Sequence, residues 1–481
     1  VHHEVIPAQE AEYGDWGDLP PALLQALKDF GAEKPYAHQD QALKLVLEGK
    51  DVAAITPTAS GKSLIYAIPV LRRMLTKPKA RSLFVYPLKA LEQDQQRMLQ
   101  ELAGACGLPP SCCAIMDGDT PQSMRKKLKA DPPSIMLTTP DMLHYGILPF
   151  HSQWEELFKN LHFVVLDELH TYRGVFGSHV AQLLRRLARM AEHYGSAPQW
   201  ITCSATIANP GEFAQSLVGR PFSVIDKNSA PRAARHFLFV NPEQRSTTRA
   251  ANILTRAMDS TLRTIVFTKA RKITELVSQW VSESRQDLAS KVSSYRSGYL
   301  PEERREIEQN LSSGKLLGVV STSALEMGID IGGLDVCVLI GYPGTIASTW
   351  QRGGRVGRGE SSSLVVMLAG ADALDQYFMK HPDDFFSRGA EAAVVDPDNE
   401  PILESHLPCA AAELPLLEGD KYMRPQDRKE LMADLEEDGV LLRAHSETPQ
   451  WFAARRNPHR FVDLRDVGEG FTIMLDSAPF D

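Results

Sequence analysis

The feature that most constrains this chain is an alternation, repeated twice, between short apolar runs rich in β-branched residues and helix-length amphipathic stretches. From about residue 18 to 225 the runs are DVAAIT, RSLFVYP, SIMLTT, HFVVLDE and QWITCSAT, separated by stretches such as SLIYAIPVLRRML and a Gln-rich polar helix. Short apolar runs of this kind suit strands covered on both faces, so a parallel sheet flanked by helices is expected. After the polar stretch VIDKNSAPRAARH the pattern restarts with HFLFVN, TIVFT, LLGVVST, DVCVLIG and SSLVVML. The expected fold class is α/β: two tandem doubly wound parallel-sheet units, 1–225 with a helical segment at its start, then 226–388. From about 389 the runs shorten, and ESHLPCAAAELPL, RPQDRKELMADLEEDG, GVLLRA and QWFAAR predict a small winged-helix-like α+β unit over 389–481, with Trp451 and Phe452 in its core.

Composition narrows the class further. A chain of 481 residues that is 43% hydrophobic has material for several cores, which excludes disorder and fibres. Its 6 cysteines contain no C-x-x-C pair and supply neither a disulfide framework nor a zinc site, so a reducing compartment is expected. No apolar run reaches the roughly 18–20 residues of a membrane helix, and VHHEVIPAQEAEYGD is neither basic nor apolar enough for a signal peptide. A cytoplasmic monomer is expected, associated with the nucleoid if bacterial, with no membrane partner. The net charge of −9 argues against wholesale coating of nucleic acid, but it is unevenly spread: residues 389–481 hold 9 Lys and Arg against 20 Asp and Glu, leaving a nearly neutral body.

The chemistry concentrates in four places. Thr56-Pro-Thr58-Ala59-Ser60-Gly61-Lys62-Ser63 follows a strand and opens a helix, the setting of a phosphate-binding loop. Loop N–H groups can cradle phosphate, Lys62 can reach the β- and γ-phosphates, and Ser63 can hold Mg²⁺. Thr56 stands where the full pattern has Gly. VVLDELH ends a strand in Asp167, a candidate for holding Mg²⁺ through water, and Glu168, a candidate for polarising the attacking water; a helix N-cap pair is the competing explanation. Ser204-Ala205-Thr206 ends another strand, where its hydroxyls could bridge the carboxylates to the rest of the unit. In Gln351-Arg352-Gly353-Gly354-Arg355-Val356-Gly357-Arg358, Arg355 and Arg358 share one side of a helix start and could reach a γ-phosphate from another unit, or belong to a basic loop that binds any anion.

TPTASGKS, VYPLKALEQDQ, TTPDML, LDELH, SATIANP, VFTKARK, SALEMGID and QRGGRVGR occur in the order of the superfamily 2 helicase motifs, over about residues 35 to 370. The chain resembles that superfamily, whose two units are RecA-like. Within it, DELHTYRGVFGSHVAQLLRRL, SATIANPGEFAQSLVG and HLPCAAAELPL resemble the bacterial and fungal DEXH helicases of the mitomycin-repair group, MrfA and its RecQ-like eukaryotic relatives.

The resemblance implies ATP and Mg²⁺ as cofactors, and Tyr36 and Gln39 as adenine contacts. It implies Gly328 and Asp330 at ribose and phosphate, and Gln351 in the catalytic set with Lys62, Asp167, Glu168, Arg355 and Arg358. It also implies a nucleic-acid track over Pro87, Leu88, Lys89, Gln93, Thr138, Thr139, Pro140, Thr268, Arg296 and Thr322. Each of these taken singly could equally be a cap or turn residue. The basic cluster AARRNPHR would bring Arg455, Arg456, His459 and Arg460 to DNA, although a solvated loop fits it as well. The family carries a four-cysteine zinc domain beyond the winged helix, so a C-terminally truncated core that binds no zinc is expected. The implied activity is an ATP-dependent 3′-to-5′ DNA helicase acting on single-stranded or tailed DNA in repair of damage such as interstrand crosslinks. An RNA helicase or remodeller is the alternative, because phosphate tracking does not reveal the sugar.

Overall fold

The computed structural model describes residues 1–328, 331–357, 361–444 and 448–467, and the backbone of two short strands at 474–475 and 478–479. In chain order the strands that build the molecule are β1 (His2–Ile6), β2 (Val52–Ile55), β3 (Arg81–Val85), β4 (Cys113–Met116), β5 (Ile135–Thr138), β6 (Leu161–Leu166), β7 (Gln199–Ser204), β8 (Ser223–Ile225), β9 (Arg235–Val240), β10 (Thr264–Phe267), β11 (Val292–Tyr295), β12 (Gly318–Ser321), β13 (Val336–Ile340), β14 (Ser363–Leu368), β15 (Leu416–Leu417), β16 (Leu441–Ala444) and β17 (Gln450–Ala453).

The first sheet runs β4-β5-β3-β6-β7-β2-β8 with parallel pairing throughout. Its inner strands are buried along their length, as continuous apolar runs require when helices cover both faces. The second sheet runs β1-β9-β14-β13-β10-β12-β11 and is parallel except at its first pair. That exception corrects the expected division of the chain. Residues 2–6, placed with the first unit, pair antiparallel with β9 from His2 opposite Phe239 to Ile6 opposite Arg235, and so form the edge of the second sheet. A strand of five residues with mixed polar and apolar side chains carries no sign of which edge it will join.

The last unit has its own core, in which Leu403, Leu407, Leu416, Met432, Leu435, Leu441 and Trp451 pack under the small antiparallel sheet β15-β17-β16. Trp451 is buried as expected, whereas Phe452, next along the strand, is 40% exposed, because successive strand residues face opposite sides. The unit docks on the first unit rather than on the second, which it follows in the chain. Its helix Glu400–Glu413 lies against the helix Gly174–His193, and Ala393, Cys409, Val462 and Leu464 complete the first unit's core. No helix among the described residues is long and apolar enough to cross a membrane.

Candidate nucleotide site between the two sheets

The carboxyl ends of β2, β6 and β7 place three loops at one crevice, where ligands of open α/β sheets bind. After β2 the chain turns through Ala59 (φ 63°) and Gly61 (φ 76°) into the helix Lys62–Thr76. Gly61 is required twice over, for its left-handed backbone and because a Cβ there would lie 2.4 Å from Gln39 Nε2. Thr56, standing where a phosphate loop usually has glycine, is fully buried and shares a 2.6 Å hydrogen bond between its hydroxyl and that of Ser60, which braces the loop. Lys62 Nζ donates to the carbonyls of Thr56 (3.0 Å) and Ser204 (3.4 Å).

After β6 come Asp167 and Glu168, the latter in a left-handed conformation (φ 49°). Burial, then the neighbouring charge of Glu168, pushes the Asp167 carboxyl up to about 7, against the pull of Lys62. Glu168 goes the other way. Burial would raise it, but Lys62, then His170 and Arg355, and the N–H of Gly328 outweigh that and hold its carboxyl below the usual range. Tyr66 Oη donates to Asp167 Oδ2 (3.0 Å) and also faces Ser63. A hydroxyl and a carboxylate converge here, with more negative charge than the buried site tolerates unaided. That donor set fits a hard divalent cation such as Mg²⁺. No group of three or more His, Cys, Asp or Glu that could hold a metal by itself occurs among the described residues.

The second unit closes the crevice. Thr58 Oγ1 donates to Gly354 O (3.2 Å), and a Cβ on Gly328 would sit 3.0 Å from Glu168 Oε1, so this backbone lies tight against the carboxylate. Gln351 Nε2 donates to His170 Nε2 (2.6 Å), while His170 Nδ1 faces Ser204 Oγ (3.3 Å) and Glu168 Oε2 (3.6 Å). Burial keeps His170 below its ordinary value and hence neutral, as an acceptor from Gln351 must be. The SAT serine therefore does bridge, and the residue it bridges through is His170. Nothing within DELH itself marks this histidine as a link between the units. Arg355 is fully buried with its guanidinium donating to Glu326 O (2.6 Å), and Arg352 pairs with the Glu326 carboxylate (2.8 Å). Asp330 and Arg358 lie outside the described residues.

Between the units is a cavity of about 1160 Å³, lined by Thr58–Ser60, Tyr36, Gln351 and Gly354 and by the N-terminal segment. Gln39 is buried, with its amide spent on backbone, Oε1 accepting from Tyr36 N (2.9 Å) and Nε2 donating to Gly61 O (2.9 Å). His38 ties the interdomain linker to the phosphate loop: its Nδ1 meets Ser229 Oγ at 2.7 Å and its Nε2 donates to Ser60 O at 3.0 Å.

The expected nucleic-acid track divides. Leu88 and Lys89 are exposed, Lys89 pairing with Asp119 (2.8 Å); Gln93 and Thr322 are half-buried, and Thr322 caps a turn by accepting from Ala324 N. Arg296 is pinned by Glu275 (2.8 Å) and stacked on Tyr299. Thr139 caps the turn that begins at the buried Pro140, and Pro87 is buried as well. Thr138 and Thr268 are corrections. Both are buried, and their hydroxyls are spent on Met116 O (2.7 Å) and on Ala270 O and Thr274, so neither side chain can face a strand. Of the basic cluster, Arg455, Arg456 and Arg460 are exposed, but His459 is a further correction, buried with Nε2 donating to Glu413 Oε1 (3.0 Å).

Comparison with known proteins agrees with this geometry. Residues 36–213 match the DEAD/DEAH box helicase family, 249–360 the helicase conserved C-terminal domain, and 395–467 the winged helix domain of ATP-dependent helicase HRQ1. The crystal structure of the DUF1998 helicase MrfA bound to DNA is 40% identical, superposes with a TM-score of 0.92, and shares 96% of this chain and 67% of its own. This chain belongs to the MrfA/Hrq1 type of superfamily 2 helicases. The uncharacterized ATP-dependent helicase YprA of Bacillus subtilis is 41% identical over 99% of this chain, and the ATP-dependent helicase hrq1 of Schizosaccharomyces pombe 36% over 98%. The chain spans 64% and 46% of the length of these two relatives.

Proposed function

We propose that the chain is the motor of an ATP-dependent DNA helicase or translocase. The observation that carries this is the shared crevice. Lys62, Asp167 and Glu168 stand on one side, and Gly328, Gln351 and Arg355 on the other, close enough that Gly328 donates to Glu168 and Gln351 to His170. Lys62 would exchange its loop carbonyls for the β- and γ-phosphates, where a charged donor is worth most. Ser63 and Asp167 would hold Mg²⁺, which when bound neutralises charge on the transferring phosphoryl group. Glu168, held ionised, would orient the water that adds to the γ-phosphorus as the bond to ADP breaks. Arg355 and Arg358 would offset the charge that develops there.

Because the two halves of this set lie on different units, ATP would draw the units together and its loss would free them, moving one along a strand relative to the other. DNA as the track is supported by the DNA-bound MrfA structure. Leu88, Lys89, Gln93, Arg296, Thr322, Arg455 and Arg456 are the residues proposed to meet it. The 3′-to-5′ direction, crosslink repair and a cytoplasmic, monomeric state follow from the family resemblance.

The test is ATP hydrolysis by this chain alone, with single-stranded DNA, and with single-stranded RNA of equal length at one salt concentration. Stimulation by DNA alone is expected. Preferential stimulation by RNA overturns the substrate, and absence of any turnover overturns the motor.

A further inference from the structure

One buried hydroxyl beside the nucleotide crevice has more acceptors than protons. Tyr66, in the helix Lys62–Thr76, has no exposed surface. Its Oη lies 2.8 Å from Gln95 Oε1 and 3.0 Å from Asp167 Oδ2, and it also faces Ser63. A carboxylate and an amide oxygen only accept, and a phenol carries a single proton, so Tyr66 can satisfy Gln95 or Asp167 in full but not both. The other carboxylate oxygen, Asp167 Oδ1, already accepts from Glu168 N (2.8 Å), which leaves the competition at Oδ2. Tyr86 is buried nearby, but its hydroxyl has no hydrogen-bond partner among the described residues and does not relieve the shortage.

The two competitors belong to different parts of the molecule. Asp167 follows β6 at the crevice, whereas Gln95 belongs to the helix Lys89–Ala105, whose first turns carry Lys89 and Gln93, both proposed above to meet DNA. At 3.6 residues per turn, Gln93 and Gln95 point about 200° apart, so one helix can offer one side chain to a strand and the other to Tyr66. Further along, the helix is fastened to β4: Gln96 and Gln100 both donate from Nε2 to Cys113 O (3.3 and 3.0 Å). Its first turns are held less well. Lys89 is in an exposed pair with Asp119 (2.8 Å), and Glu92 is fully buried with no partner for either carboxyl oxygen among the described residues. A buried group left unpaired costs free energy, so a ligand's contacts can draw these turns from where they lie.

We propose that Tyr66 is a positioning residue that couples the DNA track to the Asp167 carboxylate, because Gln95 and Asp167 compete for its one proton. With no strand bound, Gln95 shares that proton and Asp167 Oδ2 is only partly held. A strand on the first turns of the helix draws Gln95 away, the Tyr66 hydroxyl turns wholly to Asp167, and the carboxylate is fixed where it can hold a cation. The coupling is reciprocal: whatever fixes Asp167 against Tyr66 releases Gln95 and readies the helix for DNA. This rests on the ATP and DNA reading above and adds the residue through which the two ligands sense each other.

The experiment compares the full chain as wild type, Tyr66→Phe and Gln95→Leu. ATP hydrolysis is measured with and without single-stranded DNA. Separately, and without turnover, the affinity for a fluorescent single strand is measured with and without ADP and Mg²⁺. Tyr66→Phe keeps the ring and removes the contested proton. It is expected to cut the stimulation of hydrolysis by DNA roughly tenfold, the scale of one hydrogen bond to a charged group, and to bring the two DNA affinities together. Gln95→Leu removes the competitor, so hydrolysis without DNA should rise several-fold towards the stimulated rate, a gain that structural damage would not produce. Stimulation or an affinity difference unchanged in Tyr66→Phe, a rate without DNA in Gln95→Leu at or below wild type, or a wild-type DNA affinity that ADP and Mg²⁺ leave unaltered overturns the coupling while leaving the motor in place. A wild-type chain that hydrolyses no ATP, or whose hydrolysis DNA does not stimulate, overturns the reading on which it rests.

Discussion

The first unit meets its neighbours through two interfaces built on opposite plans. Towards the second unit it offers a crevice whose polar contacts at the nucleotide site are single hydrogen bonds, among them Thr58 to Gly354, Gln351 to His170 and Gly328 to Glu168. Towards the winged helix it offers a buried polar knot. Arg186, with no exposure, pairs with Glu413 and donates from Nη1 to His144 Nδ1 (3.0 Å) and His406 Nδ1 (3.1 Å). Arginine can only donate, so both rings are neutral and carry their protons on Nε2. From there His144 donates to His459 O (3.1 Å) and His406 to His179 Nδ1 (3.0 Å), and His179 passes its own proton on to Asp466 O (2.8 Å). A crevice of isolated hydrogen bonds can open at a cost that ligand binding offsets, whereas a desolvated network gives up several partners at once. The winged helix is therefore expected to move with the first unit, and the second unit to be the one that swings.

The largest expected effect is on the crevice. Glu168→Gln should lower kcat by a thousandfold or more while retaining nucleotide affinity, because the charge that orients water goes and the phosphate cradle stays; the check is single-turnover hydrolysis beside ADP binding. Undiminished turnover would move the water-positioning role elsewhere. Next comes the knot. Glu413→Ala should cost roughly 3–5 kcal/mol in denaturant unfolding, the penalty for leaving Arg186 buried and unpaired. A loss under about 1 kcal/mol would mean the two interfaces do not differ in kind.

Acid should separate them. Burial, then Arg186, holds His144 down to about 2, so its stabilising effect is complete above the unfolded value of 6.5 and is lost as pH falls below it, about 2 kcal/mol by pH 5. Glu413, brought to about 2 by Arg186 and His459 against its burial, adds a second loss below about 4.5. Asp167 titrates the opposite way. Its raised value favours the folded chain below 3.8, a contribution lost as pH rises to about 7. Melting followed by proteolysis at pH 7.5, 6 and 5 should release the winged helix first.

Smaller effects follow. Gln351→Ala should reduce the stimulation of ATP hydrolysis by DNA roughly tenfold, the worth of one hydrogen bond of about 1.4 kcal/mol between the units, with basal binding as the control. Least of all, Asp141→Asn, which breaks an exposed pair with Arg465 at the rim of the winged-helix junction, should shift stability by less than about 1 kcal/mol.

Much of the nucleotide site was legible because its chemistry demands particular residue types at particular places along the chain. A strand, a tight left-handed turn and a lysine can be read off DVAAITPTASGKS, and the same holds for paired acids after VVL. His170 and His38 were not legible as linkers, since their partners Gln351 and Ser229 lie 181 and 191 residues away. Thr138 and Thr268 were misjudged for a related reason. A threonine at a strand end faces either solvent or a neighbouring carbonyl, and only packing chooses between them. His459 carried a basic neighbourhood in sequence and a buried carboxylate in space.

What the sequence determined by itself is whatever depends on local backbone geometry and residue type: two parallel α/β units, a phosphate loop, paired carboxylates, and a family. Tertiary structure alone decided which sheet β1 completes, which unit the winged helix rides on, and which polar side chains are spent inside the protein. Each of these depends on the desolvation and pairing of groups that meet only after the chain has folded, and no spacing along the chain encodes that meeting.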